Sequence, residues 1–267
     1  MLTEPMGPHV AVRYEDHPRG RVAFVTLDNR AKLNSLSSEV MGQLVARFAE
    51  LAIDASLRVI VLSGAGGKAF IGGADIDEMA ALAGPAQARA FILKVHGCCQ
   101  AIRDTPVPVI AAIEGWCLGA GLEVAAACDL RLAADTAMFG MPEVRLGLPS
   151  VVEAALLPSL IGWGRTRRIL MTGETFGAAE ALAWGLVEEV HAPSSLPAAV
   201  DALVSKLLEA EPQAVRNQKT LMQRWEDLPM SAAIAAGVDA FEQAWTGEEP
   251  SRALRRYLAE RLAAKAR

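Results

Sequence analysis

The composition is that of a globular and mildly acidic chain. Of its 267 residues, 52% are hydrophobic and 21% are charged, which supports a large core and excludes a disordered protein. The formal net charge of −5 argues against nucleic acid or an anionic membrane as the main partner.

Strands and helices alternate through the first two-thirds of the chain. A helix capped by Ser37 is predicted to end near residue 53, with apolar residues along one face. Two glycine-dense turns, at 63–76 and 115–121, each follow a short apolar strand. This alternation favours an α/β architecture. The other predicted elements of this part are strands at 10–14, 21–27, 58–62, 109–113, 129–133 and 137–139, and helices at 85–103 and 122–128.

The pattern becomes helical from residue 150. Pro193-Ser194-Ser195 is typical of a hinge, so we expect an α/β core over 1–195 and a helical segment over 196–267. The residues alone leave open whether that segment packs on its own core or on a neighbouring subunit. The predicted elements are helices at 150–161, 165–172, 177–184, 196–210, 212–224, 230–245 and 249–266, and a strand at 186–191.

Cysteine usage and the N-terminal residues predict a soluble cytoplasmic protein. The first eight residues lack the basic and apolar segments of a secretory signal, and acidic residues interrupt the longest apolar run. The cysteines lie in apolar settings without metal-ligand spacing, so we expect buried free thiols and no metal site. They are Cys98, Cys99, Cys117 and Cys128.

Two turns are candidates for binding an oxygen that becomes negatively charged. In one, Gly119, Ala120 and Gly121 form a turn before the helix at 122–128, whose first N–H groups lack intrahelical partners. In the other, Gly73 lets the backbone of Ala74 approach a ligand closely. Together they could offer a pair of N–H donors to a carbonyl oxygen. The structural alternative is an ordinary strand-to-helix turn capped by Asp75.

Acidic side chains in apolar surroundings are the candidates for proton transfer. Glu123 lies in the Ala-rich helix after the second turn, and Glu143 follows Pro142. Two such acids could divide the roles of proton donor and acceptor if their surroundings separate their pKa values. A third acid, Glu153, follows an apolar run. The alternative for each is a structural role, as an ion-pair partner, a cap or an acid that complements a helix dipole.

Four motifs in order and spacing resemble the crotonase superfamily, which includes enoyl-CoA hydratases and isomerases. The similarity extends through two further segments and covers nearly the whole chain from about residue 10. The motifs are 69–76 (AFIGGADI), 115–123 (GWCLGAGLE), 127–130 (ACDL) and 139–143 (FGMPE), and the further segments are 171–176 and 181–187.

The resemblance implies a spiral of β-β-α units with a C-terminal helical segment used in trimer assembly, commonly as a dimer of trimers. It implies an acyl-CoA thioester as substrate, so coenzyme A enters with the substrate and no separate cofactor is expected. By this match the backbone N–H groups of Ala74 and Ala120 form the oxyanion hole, and Glu123 and Glu143 are the catalytic acids. The implied coenzyme A and substrate-binding residues are Lys32, Leu33, Gly73, Ala74, Asp75, Ile76, Asp77 and Gly119.

One segment departs from the hydratase pattern. Ser150, Val151, Val152 and Glu153 stand where a glycine-rich turn helps to position water, so Ser150 and Glu153 are possible additional pocket residues. The first expectation is reversible syn hydration of a 2-enoyl-CoA. The alternatives are double-bond isomerisation on Glu143 alone, a decarboxylation or dehalogenation that leaves Glu123 unexplained, and a non-catalytic binding protein of this fold.

Overall fold

Two sheets organise the first part of the chain in the computed structural model, which describes residues 7–265. One sheet has six strands and the other has four. Three of the four strands in the smaller sheet come directly after a strand of the larger one. The strands are β1 (His9–His17), β2 (Gly20–Asp28), β3 (Leu57–Gly64), β4 (Ala69–Ile71), β5 (Val109–Ile113), β6 (Trp116–Leu118), β7 (Leu130–Ala134), β8 (Met138–Gly140), β9 (Thr175–Gly177) and β10 (Glu189–His191).

The chain winds as a spiral between these sheets. The larger sheet has the order β1-β2-β3-β5-β7-β10 and the smaller one β4-β6-β8-β9. Each of the pairs β3–β4, β5–β6 and β7–β8 therefore gives one strand to each sheet before helical structure follows. Only the β1–β2 hairpin and the β8–β9 pair are antiparallel among the described strands. This topology confirms the predicted α/β spiral of β-β-α units.

Helices cover the sheets and complete the core. In α1 the apolar residues recur at helical spacing, so Val40, Leu44, Phe48 and Leu51 are all buried on one face. The Ser37 hydroxyl accepts a hydrogen bond from the N–H of Val40 and caps this helix as predicted. The helices are α1 (Ser38–Ala52), α2 (Ile76–Ala80), α3 (Pro85–Asp104), α4 (Ala120–Ala127), α5 (Leu157–Thr172), α6 (Ala178–Trp184), α7 (Leu196–Glu209), α8 (Pro212–Asp227), α9 (Met230–Ala244) and α10 (Glu249–Lys265).

The segment after residue 150 differs from its prediction. The predicted helix at 150–161 is a 3-10 helix, Val152–Leu156, followed by α5, which also takes in the predicted helix at 165–172 and changes direction at Gly162. Val152 has a φ of +41°, which a continuous α-helix does not allow. The short elements α2, β4, β6 and β9 were not predicted, because strands of three residues and one helix of five carry too little periodicity.

The helical C-terminal part forms a second compact unit. The first unit ends at Ser205 and the second begins at Lys206, so the division falls within α7, which starts at the predicted boundary. Within the second unit, the Glu249 carboxylate accepts hydrogen bonds from the N–H groups of Gln213 and Ala214 at the start of α8. The predicted end of the last helix at 266 and the first six residues lie outside the described residues.

The four cysteines are buried and free, as predicted. None of the helices within 7–265 combines the length and the apolar character that a membrane span requires.

Candidate active site

The first N–H donor is fixed by a loop that folds against the end of β4. Asn34 is buried, and its amide donates to the carbonyls of Ala65 and Ala69. Leu36 then bridges Ala74: its N–H donates to the Gly73 carbonyl, and its carbonyl accepts from the N–H of Asp75. The N–H of Ala74 lies between these two bonds and has no acceptor among residues 7–265.

The second donor stands at the start of α4. Gly119 has a φ of +51°, and its carbonyl accepts the N–H groups of Leu122 and Glu123. The N–H of Ala120, in the first helical turn, has no acceptor within the described chain. A Cβ at Gly121 would lie 2.1 Å from the carbonyl oxygen of Ile71, so glycine is required where α4 passes the end of β4. Sterics therefore fix this donor as firmly as hydrogen bonds fix the first.

Both donors and both predicted catalytic acids line one cavity of about 550 Å³. This volume suits a small-molecule ligand. Most of the side chains around it are apolar, and three are charged: Arg89, Glu123 and Glu143. The apolar side chains are contributed by Ala74, Ile76, Met79, Leu82, Ala88, Phe91, Ile92, Val95, Leu118, Ala120, Pro142, Leu146, Leu148, Pro149 and Val151.

Glu123 is the buried member of the acid pair. It is 4% exposed, and burial raises the pKa of its carboxyl to about 8, with further contributions from the charges of Glu143 and Glu153. The backbone N–H groups of Ala154 and Val151 interact with the carboxyl and oppose this rise. Glu123 therefore holds a proton at neutral pH.

Glu143 is half-buried, and a neighbouring hydroxyl orients it. It lies in the 3-10 helix Pro142–Leu146, and its Oε2 accepts a hydrogen bond of 2.7 Å from Ser150 Oγ. Its Oε1 lies over Gly119, where a Cβ would come within 2.3 Å of it. The carboxylate consequently stands directly beside the backbone that carries the second donor.

Comparison with known proteins identifies the family of the chain. Residues 18–265 match the family described as Enoyl-CoA hydratase/isomerase. The chain belongs to the enoyl-CoA hydratase/isomerase family. It is 32% identical to a short-chain-enoyl-CoA hydratase of Clostridium acetobutylicum, over 91% of this chain and 93% of that protein. It is 36% identical to an (E)-benzylidenesuccinyl-CoA hydratase of Thauera aromatica, over 80% and 83%. The crystal structure of an enoyl-CoA hydratase from Bacillus anthracis superposes with a TM-score of 0.88 at 30% identity, covering 94% of this chain and 96% of that one.

The remaining predicted binding residues fall into two groups. The first group lines the cavity: Gly73 and Ile76 lie beside Ala74, and Gly119 lies beside Ala120. Lys32 and its neighbour Leu33 do not line it. The ammonium of Lys32 lies 2.8 Å from a carboxylate oxygen of Asp75 and 2.8 Å from one of Asp77. Asp75 also accepts the first N–H groups of α2, so this cluster supports the loop next to the first donor.

Ser150 and Glu153 lie behind the cavity wall. Ser150 contacts Glu143, and Glu153 contacts His96, with 2.7 Å between Nδ1 of the histidine and Oε1 of the acid. His96 was not singled out in the sequence, because its partner lies 57 positions away and nothing local marks the contact. Within residues 7–265, no group of three or more His, Cys, Asp or Glu side chains is arranged to hold a metal ion.

Proposed function

We propose that the protein catalyses the reversible syn addition of water to a 2-enoyl-CoA. Two backbone N–H groups, those of Ala74 and Ala120, and two acids converge on one cavity, and this observation carries the proposal. Neither N–H group has an acceptor in the described part of the chain. The chain's relatives include hydratases of short-chain enoyl-CoA and of benzylidenesuccinyl-CoA, which supports the same reaction type.

The two N–H groups polarise the thioester. When water attacks C3, electron density moves through C2 onto the thioester oxygen, which becomes an enolate oxygen. Hydrogen bonds from Ala74 and Ala120 to this oxygen strengthen as its charge grows. Losing one such donor raises a reaction barrier by about 3–4 kcal/mol in comparable sites.

The two acids handle the protons. Water loses a proton as its oxygen bonds to C3, and C2 gains a proton as the double bond is lost, so the number of protons on the pair is the same before and after turnover. The pair therefore needs one carboxyl and one carboxylate. Glu123 supplies the shared proton in the free site because burial and the neighbouring charge of Glu143 favour its protonated form.

The cavity walls indicate an apolar acyl group. Met79, Leu82, Phe91, Ile92 and Val95 line one side, on and near α2 and α3. Apolar walls favour an apolar ligand and exclude water other than the reacting molecule. Coenzyme A is part of the substrate, so the proposed reaction uses no separate cofactor.

The direct test is the loss of enoyl absorbance when crotonyl-CoA is mixed with the purified protein. We expect turnover by the wild type and a loss of about 10²–10⁴-fold in kcat for Glu123→Gln and for Glu143→Gln. Glu180→Gln on α6 is the matched control, because Glu180 is exposed and lies outside the cavity lining. Its kcat should equal that of the wild type.

The alternative reaction has its own outcome in the same assay. A wild-type protein that is inert towards short, medium and aromatic 2-enoyl-CoAs but converts a 3-enoyl-CoA to its 2-enoyl isomer would contradict the hydratase proposal. In that case Glu143→Gln alone should abolish turnover. Activity that survives in both Gln variants would refute the acid pair altogether.

We further propose that the C-terminal unit mediates homo-oligomerisation, as a trimer or a dimer of trimers. In this unit Ile234, Val238, Phe241 and Trp245 recur along one side of α9 and its end, and each is at least 49% exposed. Exposed apolar stripes of this kind mark association surfaces. Sedimentation should give a multiple of the 28.3 kDa chain, and Ile234→Glu combined with Phe241→Glu should reduce it. A wild-type monomer would overturn the proposal.

A further inference from the structure

Glu153 is a buried acid that the proposed reaction does not use. It is 7% exposed and lies in the 3-10 helix Val152–Leu156, behind the cavity wall. Its Oε1 is 2.7 Å from Nδ1 of His96, and the Cys99 thiol also interacts with this carboxyl, whereas its Oε2 has no partner at hydrogen-bond distance within residues 7–265. A buried carboxylate oxygen without a partner destabilises a fold, so this side chain is poorly explained by structure alone.

The backbone around Glu153 is also strained. The preceding residue, Val152, has a φ of +41°, a conformation that is costly for a β-branched side chain. Val151 and Ala154, which flank the Val152-Glu153 pair, are the two residues whose N–H groups interact with the carboxyl of Glu123. The strained turn 151–154 therefore contacts the Glu123 carboxyl through backbone N–H groups on either side of Glu153 in the sequence.

Titratable groups face Glu153 from the elements packed against it. The 3-10 helix contacts α3, α4 and α5. From α3 the titratable groups that face Glu153 are His96 and the thiols of Cys98 and Cys99, and from α4 it is Glu123. The cations of α5 are engaged elsewhere: Arg165 with the Trp184 carbonyl, Arg167 with the Trp163 ring and Arg168 with Glu174.

We propose that Glu153, held by His96, is a positioning residue for the proposed hydration: it fixes the turn 151–154 behind Glu123 and sets a negative charge against that acid. This inference rests on the proposed function. The consequence is that the Glu123–Glu143 pair keeps its shared proton to higher pH than it otherwise would, because a nearby like charge disfavours ionisation. His96 holds the Glu153 side chain through the 2.7 Å contact. The histidine lies between Glu153 and solvent, because 44% of its side chain is exposed whereas only 8% of the Glu153 side chain is.

The pH dependence of kcat tests the inference. Loss of the shared proton sets the alkaline limb of the profile. In Glu153→Gln the shape and the bond to His96 are kept while the charge is removed, so we expect the alkaline limb to move down by about half a pH unit, with KM within about twofold. The melting temperature should stay the same or rise, because a buried charge is removed while the contact with His96 is kept.

Two variants of the histidine sharpen the test. His96→Asn can place an amide N–H near the position of Nδ1 and should retain the wild-type profile. His96→Leu leaves Glu153 without its partner and should lower kcat about tenfold with little change in KM, because the turn behind Glu123 loosens. A Glu153→Gln protein with a lower melting temperature and an unmoved alkaline limb would show that Glu153 is merely structural and would overturn the inference.

A measurement without substrate separates this inference from the proposed function. The infrared C=O band of protonated Glu123, assigned by its loss in Glu123→Gln, should titrate at lower pH in Glu153→Gln than in the wild type. An unchanged midpoint would refute the role of Glu153. A shifted midpoint in a protein that hydrates no enoyl-CoA would uphold the electrostatic role and reject the hydratase proposal instead.

Discussion

The two walls of the cavity are built on different principles. The donor wall, at 72–75 and 119–121, consists of backbone held by contacts that allow almost no change: Leu36 brackets Ala74, and the Ile71 carbonyl excludes any side chain at Gly121. The acid wall consists of the side chains of Glu123 and Glu143, whose positions depend on contacts with other residues, such as the hydrogen bond from Ser150 to Glu143. Apart from proline, which lacks the N–H, a substitution cannot remove a backbone donor, but it can obstruct one. Each acid, in contrast, can be changed separately by substitution, either directly or through a residue that contacts it.

Among the variants that test this contrast while keeping both acids, the largest expected effect comes from Gly119→Ala, at the point where the two walls meet. In Gly119→Ala the new Cβ would lie 2.3 Å from Glu143 Oε1, and the φ of +51° is unfavourable for alanine. The acid and the donor of Ala120 must both move, so we expect kcat/KM for crotonyl-CoA to fall by about 10³-fold.

Gly162→Ala is the matched control for this change. Gly162 has a φ of +79°, but a Cβ there meets no atom within 4 Å, and the residue does not line the cavity. This variant should lose about 1–2 kcal/mol of stability and keep its activity. Equal loss of activity in both variants would show that backbone strain is responsible, and not the contact between residue 119 and the Glu143 carboxylate.

The sequence singled out residues of both walls, because each carries a local signal. Gly73-Ala74 and Gly119-Ala120 each belong to one short strand–turn–helix segment, so the residues that create a free N–H group are neighbours in the chain. Glu123 and Glu143 were also found, because an acid inside an apolar run is itself a signal. Glu153 was singled out as well, but its contact with His96 was not predicted, because the two residues are 57 positions apart. The φ of +41° at Val152 was not predicted either, because it departs from the helical pattern of 150–161.

A second prediction concerns the cost of burying Glu123. Its pKa is raised to about 8 in the folded protein, from an ordinary value of 4.5. The folded state therefore binds a proton that the unfolded chain has already lost, and stability that is fully present below pH 4.5 is lost as the pH rises through about 8. The linked loss is at most about 5 kcal/mol.

Thermal unfolding across pH 4–9 checks this cost. Glu123→Gln has no charge to bury, so its melting temperature should fall less with rising pH than that of the wild type, and the two curves should diverge above about pH 5. Glu180→Gln should parallel the wild type. Parallel curves for Glu123→Gln and the wild type would mean that Glu123 ionises freely, and the proton shared by the pair would then need another holder.

The smallest expected effect comes from removing a hydrogen bond that orients Glu143 while the acid itself is kept. In Ser150→Ala the 2.7 Å hydrogen bond to Glu143 Oε2 is lost, while the carboxylate and both backbone donors remain. A hydrogen bond to a charged group contributes about 1.5–3 kcal/mol, so kcat for crotonyl-CoA should fall about tenfold with KM within about twofold. Ser205→Ala is the control, because that hydroxyl bonds only to a carbonyl of its own helix, at Asp201. If Ser150→Ala instead raised KM at constant kcat, Glu143 would contribute to substrate binding and not to proton transfer, and the contrast between the two walls would fail at this residue.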